Sequence, residues 1–125
     1  MTAEDNKNVI RRLFADVWTG NVAAADLYYA PGALRDATKQ FASDLYRAVP
    51  DWHVTIEDLV AEGDKVVVRW TGRGTHLGEW DGSPATGRSV TTRGIDIERL
   101  VDGFIVEEDG EVDIHGFVRQ LEPAS

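Results

Sequence analysis

Five titratable side chains fall at alternate positions near the C-terminus: Glu107, Asp109, Glu111, Asp113 and His115. In a regular strand, successive side chains point to opposite faces. This spacing would set all five in one row, with Val106, Val112, Ile114 and Val118 on the other face. A row of charge on a sheet ordinarily meets water. If the row instead lines a closed pocket, neighbouring carboxylates repel, and one holds its proton near neutral pH, as a general acid must. His76, just past a strand end and ahead of a glycine-rich loop, is the second candidate. A lone histidine is more often hydrogen-bonded within the fold, but an imidazole suits proton transfer. His53 and His115 have weaker claims.

Other chemistries lack their residues. Cysteine is absent, which removes thiol nucleophiles, thiolate metal sites and disulfides. The three histidines lie far apart with no pair at i, i+4, so no metal is expected. Gly72–Arg73–Gly74 is not a dinucleotide fingerprint, because the third glycine is misplaced and no strand–turn–helix context follows. No serine sits in a nucleophile elbow. No cofactor is expected. Four Trp, three Tyr and four Phe are enough to line an apolar pocket, although most aromatics serve the core. Trp70 and Trp80 are the better candidates for stacking on a flat ligand. Arg69, Arg73, Arg88 and Arg93 could each hold an enolate oxygen, or simply pair with the excess carboxylates.

The elements that must position these residues follow from periodicity. Ile10, Leu13, Phe14 and Val17 form one helical stripe, capped at Thr2 or Asp5 and stopped at Gly20–Asn21. A short helix is predicted over Val22–Tyr29 and a longer one over Leu34–Val49, with Phe41, Leu45 and Val49 on one face and Pro50 ending it. Strands are predicted over His53–Val60, with Val54, Ile56 and Val60 on one face, and over Lys65–Thr75, apolar on both faces. Two more follow over Ser89–Leu100 and Phe104–Val118, the last with a bulge at Gly110. Asp102–Gly103 marks a hairpin. Helices first and a strand meander after imply an α+β fold, with helices on one face of a curved antiparallel sheet.

Length and charge limit the partners. The 125 residues make one domain, 1–125. The net charge of -9, with no basic stripe, argues against nucleic acid and against anionic membranes. No apolar run is long enough to span a bilayer, and the N-terminus lacks a signal-peptide pattern. The expected compartment is the cytoplasm.

Several segments resemble the SnoaL-like polyketide cyclases of the ketosteroid isomerase-like superfamily. They are Pro50–Asp51, Ile56–Glu57–Asp58–Leu59, Glu62–Gly63–Asp64–Lys65–Val66 and Arg69–Trp70–Thr71. The likeness continues through Gly74–Thr75–His76–Leu77–Gly78–Glu79–Trp80, Gly82, Pro84 and Thr86–Gly87–Arg88. It ends with Asp102–Gly103, Ile105–Val106–Glu107–Glu108, Asp113 and Gln120–Leu121. The resemblance implies a cone-shaped α+β fold with a pocket between helices and concave sheet face, usually dimeric, in secondary metabolism. It implies Asp113 as the acid/base and His76 as its partner. Phe14, Trp18, Trp70, Trp80, Arg69 and His115 would bind a small hydrophobic or aromatic ligand. The chain departs from the family in two places. A polar segment is shortened where Tyr29–Ala30 meets Pro31–Gly32, and Gly110 stands where an inward acidic residue is usual.

The implied activity is cofactor-free acid/base chemistry of the aldol type on a polyketide or similar ketone. One alternative is a non-catalytic binding or dimerisation module, which a solvent-facing Asp113 would favour. The other is an epoxide-opening enzyme, which needs an Asp–Arg–Asp set around a water. A homodimer is expected through the convex sheet face, because the strand over Lys65–Thr75 is apolar on both sides.

Overall fold

The computed structural model describes residues 1–122. Helix α1 (Ala3–Asp16) starts at Thr2, whose hydroxyl accepts from the Asp5 N–H while the Asp5 carboxylate accepts from the Thr2 N–H. Two of the four orphan N–H groups at that end are thereby satisfied. The predicted stripe is the buried one: Val9, Ile10, Leu13, Phe14 and Val17. Over Val22–Leu27 the chain forms 3-10 turns rather than the expected helix over 22–29. Helix α2 (Ala33–Ala48) stops ahead of Pro50, with Val49 already off the helical region.

Strands β1 (His53–Glu62), β2 (Lys65–Thr75), β3 (Ser89–Val101) and β4 (Phe104–Val112) form one antiparallel sheet in sequence order. The β3–β4 hairpin turns on Asp102 and Gly103, both at positive φ, the backbone that matches the strand twist. Parallel contact of Tyr29 with Ile105 ties the segment ahead of α2 to β4.

Two local irregularities overturn simple alternation. In β1 the register slips between Ile56 and Asp58. One extra residue reverses the facing of everything after it. Val54 and Ile56 therefore pack inward, Leu59 and Ala61 take over, and Val60 is 61% exposed instead of sharing their face. The last strand ends at Val112 rather than continuing to Val118, and residues Ile114–Gln120 form helix α3. Asp113 breaks the strand by capping that helix: its carboxylate accepts from the Gly116 N–H at 2.8 Å. A Cβ on Gly116 would lie 2.2 Å from that carboxylate, so the cap requires glycine there. The predicted bulge at Gly110 is absent, because Asp96 pairs with Gly110 in regular register.

The buried residues form two clusters. One lies between α1 and the sheet around Ile10, Leu13, Val66 and Val68; the other gathers Leu45, Trp52, Val90 and Phe117. Trp18, Val54 and Trp70 pack against both. The space between the clusters is left as a cavity.

Candidate active site

Strand β3 explains how a polar site forms on the inner side of the sheet. Its inward positions are Val90, Thr92, Gly94, Asp96, Glu98 and Leu100. Its outward positions include Ile95 and Ile97, which are exposed. The apolar face of this strand thus points to solvent at its centre, and the polar one points to the core. Two inward glycines make room for indoles. A Cβ on Gly94 would fall 2.3 Å from the Trp70 ring, and one on Gly72 would fall 2.1 Å from the Trp52 ring. Both rings lie close over backbone and wall the cavity.

The cavity holds about 380 Å³. Phe14 and Trp18 close one side, Phe41 and Leu45 of α2 another, and Trp52, Trp70 and Phe117 the base and far wall. Polar groups are few. Thr92 is buried, and its hydroxyl has no hydrogen-bond partner. Thr38, Asp96 and Glu108 complete the polar lining.

Asp96, Glu98 and Glu108 each bring a carboxylate oxygen within 4.8 Å of the other two. Such spacing suits a shared proton or a small cation. Glu98 stands directly across from Glu108 in the ladder. Burial pushes the Asp96 carboxyl up to about 6, against the pull of the Trp70 indole N–H, which donates to Oδ2 at 3.1 Å. Gly110 is what admits this carboxyl, since a Cβ there would sit 2.5 Å from Asp96 Oδ1. Glu98 is fully buried, and one of its oxygens has no partner. Burial, then the charges of Glu108 and Asp96, raise it far above the usual carboxylate range. Glu108 is raised by burial and by Asp96, partly offset by the Tyr29 hydroxyl, a long contact of 3.4 Å. Neighbouring acids of this kind titrate as a group, and Glu98, the most buried of them, holds its proton at neutral pH.

The residues expected from sequence divide in two. Phe14, Trp18 and Trp70 line the cavity. Trp80 stands behind it, edge-on to Phe117 at 5.2 Å and to Phe41 at 6.2 Å. Arg69 lies on the outer sheet face, ion-paired with Asp58 at 2.6 Å, so an Asp–Arg–Asp set is not assembled in the cavity. His115 is exposed on α3. Asp113 is exposed and serves as a helix cap, because the strand ends before it can turn inward. His76 is wholly buried but outside the cavity lining. The Thr86 N–H donates to its Nδ1 at 3.3 Å, and its backbone bonds Gly87 and Arg88. It therefore clasps the loop between β2 and β3. Asp113 and His76 are not brought together in the cavity.

Of the predicted acidic row, Glu107, Asp109 and Glu111 are exposed, which is the solvated face weighed against a pocket row. The inward positions on β4 are Glu108, Gly110 and Val112, on the face assigned to valines. Asp96, Glu98 and Glu108 were missed as a set. Val90 and Leu100 fix the inward parity of β3, which also carries Asp96 and Glu98, but regular pairing back from the Asp102–Gly103 turn would set Glu98 against Glu107. The register shift between Arg99 and Leu100 brings Glu108 there instead, and the sequence does not mark it.

Known proteins place the fold. The family of SnoaL-like polyketide cyclases matches residues 8–121. Among solved structures, TsrD from Streptomyces laurentii is 30% identical, with a TM-score of 0.77 and 97% of each chain covered. IdmH from Streptomyces antibioticus is 27% identical, with a TM-score of 0.76, covering 93% of this chain and 97% of that one. AclR from Streptomyces galilaeus is 22% identical, with a TM-score of 0.87 over 96% of this chain and 82% of that one, and shows the fold alone. No curated protein matches the sequence.

Proposed function

Because the chain belongs to the SnoaL-like polyketide cyclase family, we propose that it is a cofactor-free cyclase or isomerase of a polyketide or similar small hydrophobic ketone, with Asp96 as its acid/base. The observation that carries this reading is a carboxyl held at about 6 on the wall of an aromatic cavity. An acid/base titrating near the working pH both takes and returns a proton readily. The Trp70 N–H fixes Oδ2 and leaves Oδ1 in the opening beside Gly110.

Asp96 as carboxylate takes a proton from the carbon next to the ketone, and the C–H electron pair delocalises onto the ketone oxygen as an enolate. In ring closure, that pair forms a bond from the enolate carbon to a second carbonyl carbon. The second carbonyl's π pair moves to its oxygen, and the alkoxide takes the proton back from Asp96. In isomerisation, the proton returns to a different carbon. The unpartnered Thr92 hydroxyl is a free donor for a substrate oxygen, and a protonated Glu108 is a second. The aromatic walls align the reacting carbons and keep water out.

The solvent-facing Asp113 counts for the binding module, as expected from sequence; what supports an enzyme instead is a different acid, Asp96, on the cavity wall. The test is turnover of a poly-β-ketone substrate by Asp96→Asn, with thermal melting as the control for folding. Turnover should drop by roughly 100- to 10,000-fold, the usual contribution of a positioned acid/base. Undiminished turnover in a folded variant would leave the binding module as the better reading.

A further inference from the structure

Resting on the cavity as the ligand site, we infer that it selects a flat, hydrophobic ligand carrying a protonated amine and disfavours a ligand of the same size carrying a carboxylate. The walls present Phe14, Trp18, Phe41, Trp52, Trp70 and Phe117, whose ring faces attract cations as well as apolar surface. Among the described residues, the lining includes Asp96 and Glu108 and no Lys, Arg or His. Glu98 adds a third carboxyl behind these two. The groups facing the pair from packed elements are Glu98 on β3, Tyr29 ahead of α2, Thr38 on α2 and the Trp70 N–H on β2, none of them cationic. Arg69 and Arg99 are engaged on the outer face with Asp58 and Glu107. Nothing in the cavity offsets the negative charge.

The buried Thr92 hydroxyl lines the cavity without a partner, which points to a ligand that supplies one. An anion entering here must face the carboxylates or pick up a proton. A cation instead takes the place of protons that the carboxyls hold, so its binding releases protons and strengthens as pH rises. A neutral ligand feels neither effect.

The test is calorimetric titration with three matched, unreactive probes: 1-naphthylmethylammonium, 1-naphthylmethanol and 1-naphthoate, each at pH 5.5 and pH 8. At pH 8 the ammonium should bind at least about tenfold more tightly than the naphthoate, as close charges in a partly dry site require. Its affinity should rise between the two pH values while that of the alcohol stays level. In Asp96→Asn/Glu108→Gln the preference should shrink to within about threefold, and in the outer-face control Glu111→Gln it should persist. Naphthoate binding as tightly as the ammonium would overturn the inference while leaving the proposed reaction standing. Binding of none of the probes would overturn the inference and the ligand cavity together.

Discussion

At the residue scale, an acid is recognised by where its carboxyl sits rather than by its place in a charged row. Glu107, Asp109 and Glu111 share a face with water, whereas Asp96, Glu98 and Glu108 share a cavity wall and part of the core. Asp113 was legible as an unusual acid, but its spacing could not show that the chain would use it to start α3. Aromatic residues were easier to place, because Phe14 and Trp18 lie on or beside a helix whose stripe is plain in sequence. The buried acids also set a pH dependence of stability. Their folded pKa values lie above the unfolded ones, so from about pH 4 upward the folded state binds more protons than the unfolded state. Their contribution is fully present below the unfolded values and is lost as pH rises through the folded ones. The lowered, exposed carboxylates, such as Glu4, Asp5 and Asp26, act in the opposite sense only as pH falls below about 4. Melting temperature should therefore fall from pH 5 to pH 8. Glu98→Gln, which cannot ionise, should raise it by about 5 °C at pH 8 and flatten the profile. A melting temperature in Glu98→Gln that equals wild type at pH 8 would show that Glu98 carries no such penalty.

At the scale of elements, α1, α2, the hairpin and the order of strands could be read directly from stripes, caps and turns, whereas the 3-10 turns over Val22–Leu27 were read as a helix and α3 as the end of a strand. Facing within the strands was harder. The β1 irregularity after Ile56 exposes Val60, and β3 turns its isoleucines outward while Thr92, Gly94 and Asp96 line the interior. Both reverse the rule that apolar residues mark the inner face. The reason on β3 is the cavity: the strand faces open space and the Trp70 indole there instead of helix side chains. Gly94 is the residue on which this depends, because Trp70 occupies the place of its side chain. Gly94→Ala should lower stability by about 1–3 kcal/mol through overpacking and shift the near-UV circular dichroism of Trp70. An unchanged melt and spectrum would mean that the indole is free to move off the strand.

For the whole molecule, one side of the sheet encloses the site and the other is left open. Val60, Val67 and Ile97 are neighbours across three strands on that outer side, and Ile95 lies beside them. This patch fits the homodimer expected through the convex face. Light scattering at micromolar concentration should return twice the 13.8 kDa chain mass, and Val60→Lys/Ile97→Lys should return the single mass. A monomer in the wild type would remove the dimer. No helix among the described residues is long and apolar enough to cross a membrane. What unites the two faces is β3, with apolar residues on the outer one and acids on the inner one.

The most direct measurement of the central claim, that the reacting acid lies on β3, is the pH dependence of kcat/KM for the wild type, Asp96→Asn and Asp113→Asn. In the proposed reaction the base form of Asp96 takes the first proton, so wild-type activity should fall as pH drops through an apparent pKa of about 6. Asp113→Asn should keep that profile and near-wild-type activity, since asparagine also caps helices. Asp96→Asn should lose both the activity and the inflection. Loss in Asp113→Asn with an unaltered profile in Asp96→Asn would contradict the account and return the acid to the end of β4.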